Sequence, residues 1–475
     1  MFRPRMRQLS FSLSLGALVA TFCIANVGTA GPAPAEKTPT GPVAPGEIRS
    51  HKAEALGVSL DIKTFTLENG LSVHVVEDHS SPMFALHIAY DVGSRDEVKG
   101  RTGFAHLFEH MMFKGSANVP DGGHFEYVLG AGGQMNAFTT PDVTQYFNIL
   151  PSHYLDRILW LEADRMRSLE VTDETFENQR QAVKEEKAMR IDNVPYAKAM
   201  TAFFADAWKG TGYGHTTIGT DEDLDAATTA DVKAFFDTYY VPNNAVMVIV
   251  GDVTVDEVKT KVSKYFGDIP RGAEREPFEP ISHEQEKLER QVEDPMAQQP
   301  LYMIGWKTVP ESHADRHAVE LLMNILLRGD SSRITRILKD EKKLVLASLP
   351  LPSMLSGGRD AGSALAAFIP VQGASFDDIK KIIVDEIAEL GKKGITKKEL
   401  EKAINQLTVD TISSLATNNG RAMMIAQGVV AHSDPTYVLT DLQKYQAVTT
   451  RDIKRVATKY LTDKWLVLEI VPPSK

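Results

Sequence analysis

Apolar and polar residues alternate from Leu71 to Glu77 and again from Ala85 to Val92, the period of paired strands that bury one face. A helical period follows from about Gly103 to Phe113, and a strand-like run occupies Thr144–Leu150. Longer helical patterns run through Leu155–Leu169 and Thr172–Arg190. Strands and helices alternate without a strict βαβ rhythm. The pattern therefore predicts an α+β fold, with helices packed on one face of a mainly antiparallel sheet.

The plan is written twice. Thr228 opens TTADVKAFFDTYYVPNNAVMVIVGDV, and at a constant offset of 221 residues Thr449 opens TTRDIKRVATKYLTDKWLVLEIVPP. Thr228/Thr449, Thr229/Thr450, Asp231/Asp452, Lys233/Lys454 and Tyr239/Tyr460 match in register. In both copies a threonine caps an amphipathic helix and a β-branched strand follows. Two homologous halves are expected, at residues 56–275 and 296–475, with a polar, charged connector over 276–295.

Ahead of the halves, Arg3, Arg5 and Arg7 precede an apolar run from Phe11 to about Ala25, and Gly28-Thr29-Ala30 offers small residues for cleavage. Residues 1–30 are thus expected to be a secretory signal, since about 15 apolar residues are short for a bilayer span of about 20. A Pro/Gly-rich linker is expected over 31–55. After the signal is removed no segment is apolar enough to span a membrane, and the expected location is the bacterial periplasm.

The chain has 475 residues, a formal charge of −11 and one cysteine. Its length calls for more than one domain, and its acidic balance argues against a nucleic-acid partner. A lone Cys23 excludes a disulfide scaffold and a thiolate zinc site.

The chemistry is concentrated in GRTGFAHLFEHMMFKGS. His106 and His110 are four apart, so a helix projects both imidazoles from one face, where two nitrogens can reach one zinc. Glu109 lies beside them and can take a proton from water without occupying a coordination position. The apolar neighbours Phe104, Leu107, Phe108, Met111 and Met112 bury the rest of the helix.

HLFEH is the inverted zincin order, and its setting resembles the pitrilysin- and insulinase-like (M16) zinc metallopeptidases, in particular the half-size bacterial members. The segments GGQMNAFTTPDVTQYF and YVPNNAVMVIVGDV extend the likeness over most of the chain. The resemblance implies one Zn2+ per chain, peptide substrates, and a third, glutamate ligand from a later helix. In QRQAVKEEKAMR that position is Glu186, with Glu185 as the neighbouring alternative about 100° around the helix. Many relatives carry a second glutamate seven residues before the ligand, on the same helical face, where this chain has Gln179, which can hydrogen-bond a ligand but brings no charge. Asn136, Ala137 and Phe138 resemble the family's substrate-binding edge strand, to which an extended peptide adds through its backbone.

The second half lacks this chemistry. Aligning Lys114-Gly115-Ser116 with Arg328-Gly329-Asp330-Ser331 places Glu320, Met323 and Asn324 where His106, Glu109 and His110 stand. His313 and His317 are also four apart, but no glutamate stands between them where a base is needed. The resemblance further implies an arginine and a tyrosine from the second half that hold substrate and stabilise the oxyanion. The matching positions are Lys339 and Leu346, and leucine donates no hydrogen bond. The expectation is a zinc endopeptidase acting as the catalytic subunit of a heterodimer, with a homologous partner bringing the arginine and tyrosine. The alternative is a non-catalytic core or assembly subunit with a vestigial site.

Overall fold

The computed structural model describes residues 43–276, 279–284, 286–352 and 359–473. The expected signal, and the linker up to residue 42, lie outside the described residues. The first sheet contains β1 (Arg49–Ala55), β2 (Val58–Thr66), β3 (Ser72–Glu77), β4 (Met83–Tyr90), β5 (Gln134–Thr139), β6 (Thr144–Pro151) and β7 (Ala245–Gly251), in the order β1-β2-β3-β7-β4-β6-β5. The second contains β8 (Leu288–Glu293), β9 (Leu301–Thr308), β10 (Val345–Pro352), β11 (Gly362–Pro370) and β12 (Leu466–Val471).

Read from β8, the second sheet runs β8-β12-β9-β11-β10, which repeats β3-β7-β4-β6-β5 strand for strand. Even the one parallel pair recurs, β3 with β7 and β8 with β12, in otherwise antiparallel sheets. The helices Thr229–Tyr239 and Thr450–Tyr460 keep the 221-residue offset, each with a capping box made by Thr228 with Asp231 and by Thr449 with Asp452. The fold is α+β with two homologous halves.

Two boundaries differ from the sequence reading. The linker expected over 31–55 ends before Arg49, because Arg49–Ala55 pairs along its whole length with β2. The connector expected over 276–295 contains β8, the edge strand of the second sheet. Both are edge strands whose residues are largely polar and solvent-facing, so the alternation that marks a half-buried strand is weak in them.

Each half's own helices cover one face of its sheet. In the first half, Leu107, Phe108 and Met111 of the helix Phe104–Met111 join Leu86, Ile88, Tyr146 and Ile249 in one core. The opposite faces are closed by exchange. Helix Asn418–His432 from the second half lays Ala422, Ile425 and Ala426 against Ala85, Ala89, Val248 and Val250 of the first sheet. Helix Ala197–Ala207 from the first half lays Phe203 and Phe204 against Leu301, Met303 and Leu468 of the second. The two helices start 221 residues apart, so the exchange is itself duplicated. Alanines on both sides let the first of these helices approach closely, and each fully buried large side chain contributes roughly 1.5–3 kcal/mol. Among the described residues no helix is long and apolar enough to cross a membrane.

Candidate metal and catalytic site

The helix Phe104–Met111 turns its apolar residues into the core and leaves His106, Glu109 and His110 on the other side. It meets the helix Asp173–Lys187, which is capped by Thr172 and carries Glu186 near its end. His106 Nε2 lies 3.7 Å and His110 Nε2 3.2 Å from Glu186 Oε2. One ligand atom from each of the three residues falls within 4.8 Å of the others, and no other such cluster occurs among the described residues. Glu185 is exposed and outside the cluster.

The three groups fit a zinc ion. In a tetrahedron with bonds of about 2.0–2.1 Å the ligand atoms stand about 3.3–3.4 Å apart, close to both measured separations. Burial, and then the neighbouring His110, lower the pKa of His106 to about 4. Burial likewise lowers that of His110. Both imidazoles are therefore neutral at pH 7, the form that binds metal. Arg190 Nη1 holds the other oxygen of Glu186 at 2.8 Å, which leaves Oε2 to face the histidines. Gln179 is buried and its side chain hydrogen-bonds His110, fixing that ring without adding charge.

Glu109 stays out of the cluster. Thr139 Oγ1 donates to its Oε2 at 2.6 Å, so the carboxyl sits between the metal-site helix and the last residue of β5. Burial pushes its pKa up to about 7, against the opposing effect of the Thr139 hydrogen bond. A carboxyl poised there can both accept and return a proton near neutral pH.

Among the described residues β5 ends the first sheet and pairs only with β6, which leaves its outer edge open. Asn136 is exposed, Ala137 buried and Phe138 half-buried. The Ala137 N–H donates to its neighbour's Asn136 Oδ1 at 2.9 Å.

Among its described residues the second half holds no counterpart. Glu320 accepts from Tyr445 Oη and pairs with Arg316, while Met323 and Asn324 follow it along the helix Arg316–Leu327. His313 Nδ1 accepts the Asp315 N–H at 2.9 Å, and His317 Nε2 lies 2.6 Å from Asp441. Both rings serve the local fold. Lys339 is engaged with Asp330 at 2.8 Å, and Leu346 is exposed on β10. Among the described residues, every hydrogen bond and ion pair to His106, Glu109, His110 and Glu186 comes from the first half.

The sequence reading did not assign the roles of Thr139 and Arg190. Arg190 was visible as the i+4 partner of Glu186. Thr139 carried no signal beyond its place in the edge-strand motif, because its contact depends on how strand and helix pack.

A duplicated α+β chain with an H-x-x-E-H helix and a distant glutamate in one half alone defines a class of metallopeptidase scaffold. The chain belongs to the insulinase family of peptidases, M16. Residues 72–221 match the model described as insulinase (peptidase family M16), and residues 226–407 the model described as the M16 inactive domain. The zinc protease PqqE of Helicobacter pylori is 30% identical over 424 residues, covering 86% of this chain and 94% of that one. The uncharacterized zinc protease YmxG of Bacillus subtilis is 23% identical, covering 87% and 98%. A crystal structure of a protease from Helicobacter pylori superposes with a TM-score of 0.80 at 29% identity, covering 87% of this chain and all of that one.

Proposed function

We propose that this chain is a zinc-dependent endopeptidase whose site is built from His106, His110 and Glu186 with Glu109 as the acid–base group. The observation that carries the reading is the convergence of two neutral imidazoles and one carboxylate beside a carboxyl with a pKa of about 7. Zinc held there supplies Lewis-acid polarisation of a carbonyl and acidifies water towards a pKa of about 7. The chain's own residues do the rest. Glu109 takes the proton from the attacking water and returns it to the departing amine, so no net proton is consumed by the enzyme. Thr139 fixes the Glu109 carboxyl at the end of β5. An extended peptide adds to the open edge of β5, and its backbone displaces the local Asn136–Ala137 bond. Recognition through the backbone gives broad sequence tolerance.

The same reading makes this chain one subunit of a heterodimer. Its support is negative in form: the positions where the family resemblance implies an arginine and a tyrosine carry Lys339 and Leu346. Losing one oxyanion donor typically costs about 10²–10³ in rate, so a homologous partner brings the missing pair. Export to the periplasm belongs to the proposal and is supported by the arginines and apolar run at residues 1–30. The decisive experiment is Glu109→Gln with metal analysis and a peptide-cleavage assay, run with and without a co-purified homologous chain. Zinc should stay bound and hydrolysis should cease; unchanged hydrolysis defeats the mechanism.

A further inference from the structure

Between β4 and the metal-site helix lies a short 3₁₀ turn, Ser94–Asp96, followed by Glu97. The Glu97 side chain is fully buried. Its Oε2 accepts the Gly103 N–H and its Oε1 the Ala105 N–H, both at 2.8 Å. These are N–H groups at the start of the helix that carries His106, Glu109 and His110, where no preceding turn can accept them. Gly103 itself sits at φ 91°, and a Cβ there would stand 2.6 Å from the Ile218 carbonyl oxygen. The helix is thus held at its origin by one side-chain carboxyl group, and His106 lies one residue beyond the second bond.

Two residues earlier, Arg95 reaches the other side of the site. Its Nη1 lies 2.7 Å from Asp142 Oδ1 and 3.0 Å from Asp360 Oδ2 of the second half. Asp142 is 2% exposed and also accepts from Tyr213 Oη at 2.9 and 3.0 Å. It belongs to the turn that follows Thr139, the residue bonded to Glu109.

We infer that Glu97 and Arg95 are paired positioning residues: one short turn sets the origin of the metal-site helix through Glu97 and the end of the edge strand through Arg95 and Asp142. Neither side chain reaches the reacting atoms. Together they fix the separation of two elements that must meet for Thr139 to hold Glu109. The contact from Arg95 to Asp360 ties that separation to the second half of the chain. The inference rests on the zinc-peptidase reading above, and its test is arranged so that the two fail separately.

Two full-length variants are compared with the wild type. Glu97→Gln keeps one acceptor but turns an amide NH2 towards the other N–H, so one of the two helix bonds is lost. It should lower zinc affinity about tenfold, the low end of what supporting residues around a metal site supply. Chelator competition measures the affinity, and the visible spectrum of the cobalt(II)-substituted protein should shift with it. Arg95→Lys keeps the charge facing Asp142 but replaces a rigid planar fork with one ammonium on a flexible stem. It should leave zinc affinity unchanged and lower kcat about tenfold, with KM unchanged, in the assembly that gives wild-type hydrolysis. Wild-type zinc affinity with an unshifted cobalt spectrum in folded Glu97→Gln overturns the inference, as does a wild-type kcat in Arg95→Lys. If circular dichroism shows Glu97→Gln unfolded, Arg95→Lys alone decides. A wild-type chain that takes up no zinc overturns the peptidase reading itself, a result distinct from either variant's.

Discussion

Thr139 Oγ1 donates a 2.6 Å hydrogen bond to Glu109 Oε2, joining the last residue of the open edge strand to the helix that bears both histidines. The proposed substrate-binding edge and the proposed acid–base group are therefore registered to each other by one side-chain contact. Thr139→Val removes the donor and keeps the shape. A hydrogen bond to a charged group contributes about 1.5–3 kcal/mol, so kcat for peptide hydrolysis should fall roughly 10–100-fold. Zinc content, measured by atomic absorption, should stay at the wild-type level, and a parallel loss of zinc would assign Thr139 to the metal site instead.

Glu186 faces the histidines with one oxygen and Arg190 with the other. Glu186→Ala should lose zinc by more than the ~10–100-fold typical of outer supporting residues. Arg190→Ala should lose at most about tenfold, because it only orients the ligand. Titration with a fluorescent zinc chelator ranks the two. Equal losses would mean that Arg190 does more than orient.

Asp441, on the helix Tyr437–Gln446, ties it to the helix Arg316–Leu327 by binding both Arg316 and His317. Burial pushes its carboxyl up, but the His317 hydrogen bond and the Arg316 charge outweigh burial and bring the pKa down to about 2. A depressed folded-state pKa stabilises above the unfolded value near 3.8 and is lost as pH falls through about 2. The group therefore contributes about 2 kcal/mol at neutral pH. Asp441→Asn should lower stability in urea at pH 7 and flatten the stability loss between about pH 4 and pH 2. An unchanged acid limb would show that other carboxylates dominate it.

The exchanged helices should make the halves unfold together. Ile425→Ala opens a cavity under the first sheet from a residue of the second half, at a cost of about 2–5 kcal/mol. The expected outcome is one calorimetric transition at lower temperature. Two separate transitions would show that the exchange does not couple the halves.

The clustering of His106, Glu109 and His110 was legible in the sequence because all three fall within a little more than one helical turn, where spacing alone fixes direction. Glu186 was not, since no local periodicity relates it to His110; only the family likeness pointed to it. The duplication was legible in the matched run from Thr228 and Thr449, where cap, helix and strand are contiguous. The exchange of Ala197–Ala207 and Asn418–His432 was hidden because an apolar stripe says that a helix face is buried and not which sheet buries it. β1 and β8 were hidden for the opposite reason, as polar edge strands carry little apolar pattern at all.

The reciprocal placement of those two helices amounts to a swapped homodimer fused into a single polypeptide. Either half by itself would leave the back of its sheet uncovered. Severing the present chain near residue 285 should accordingly yield two insoluble fragments that regain solubility only when co-expressed.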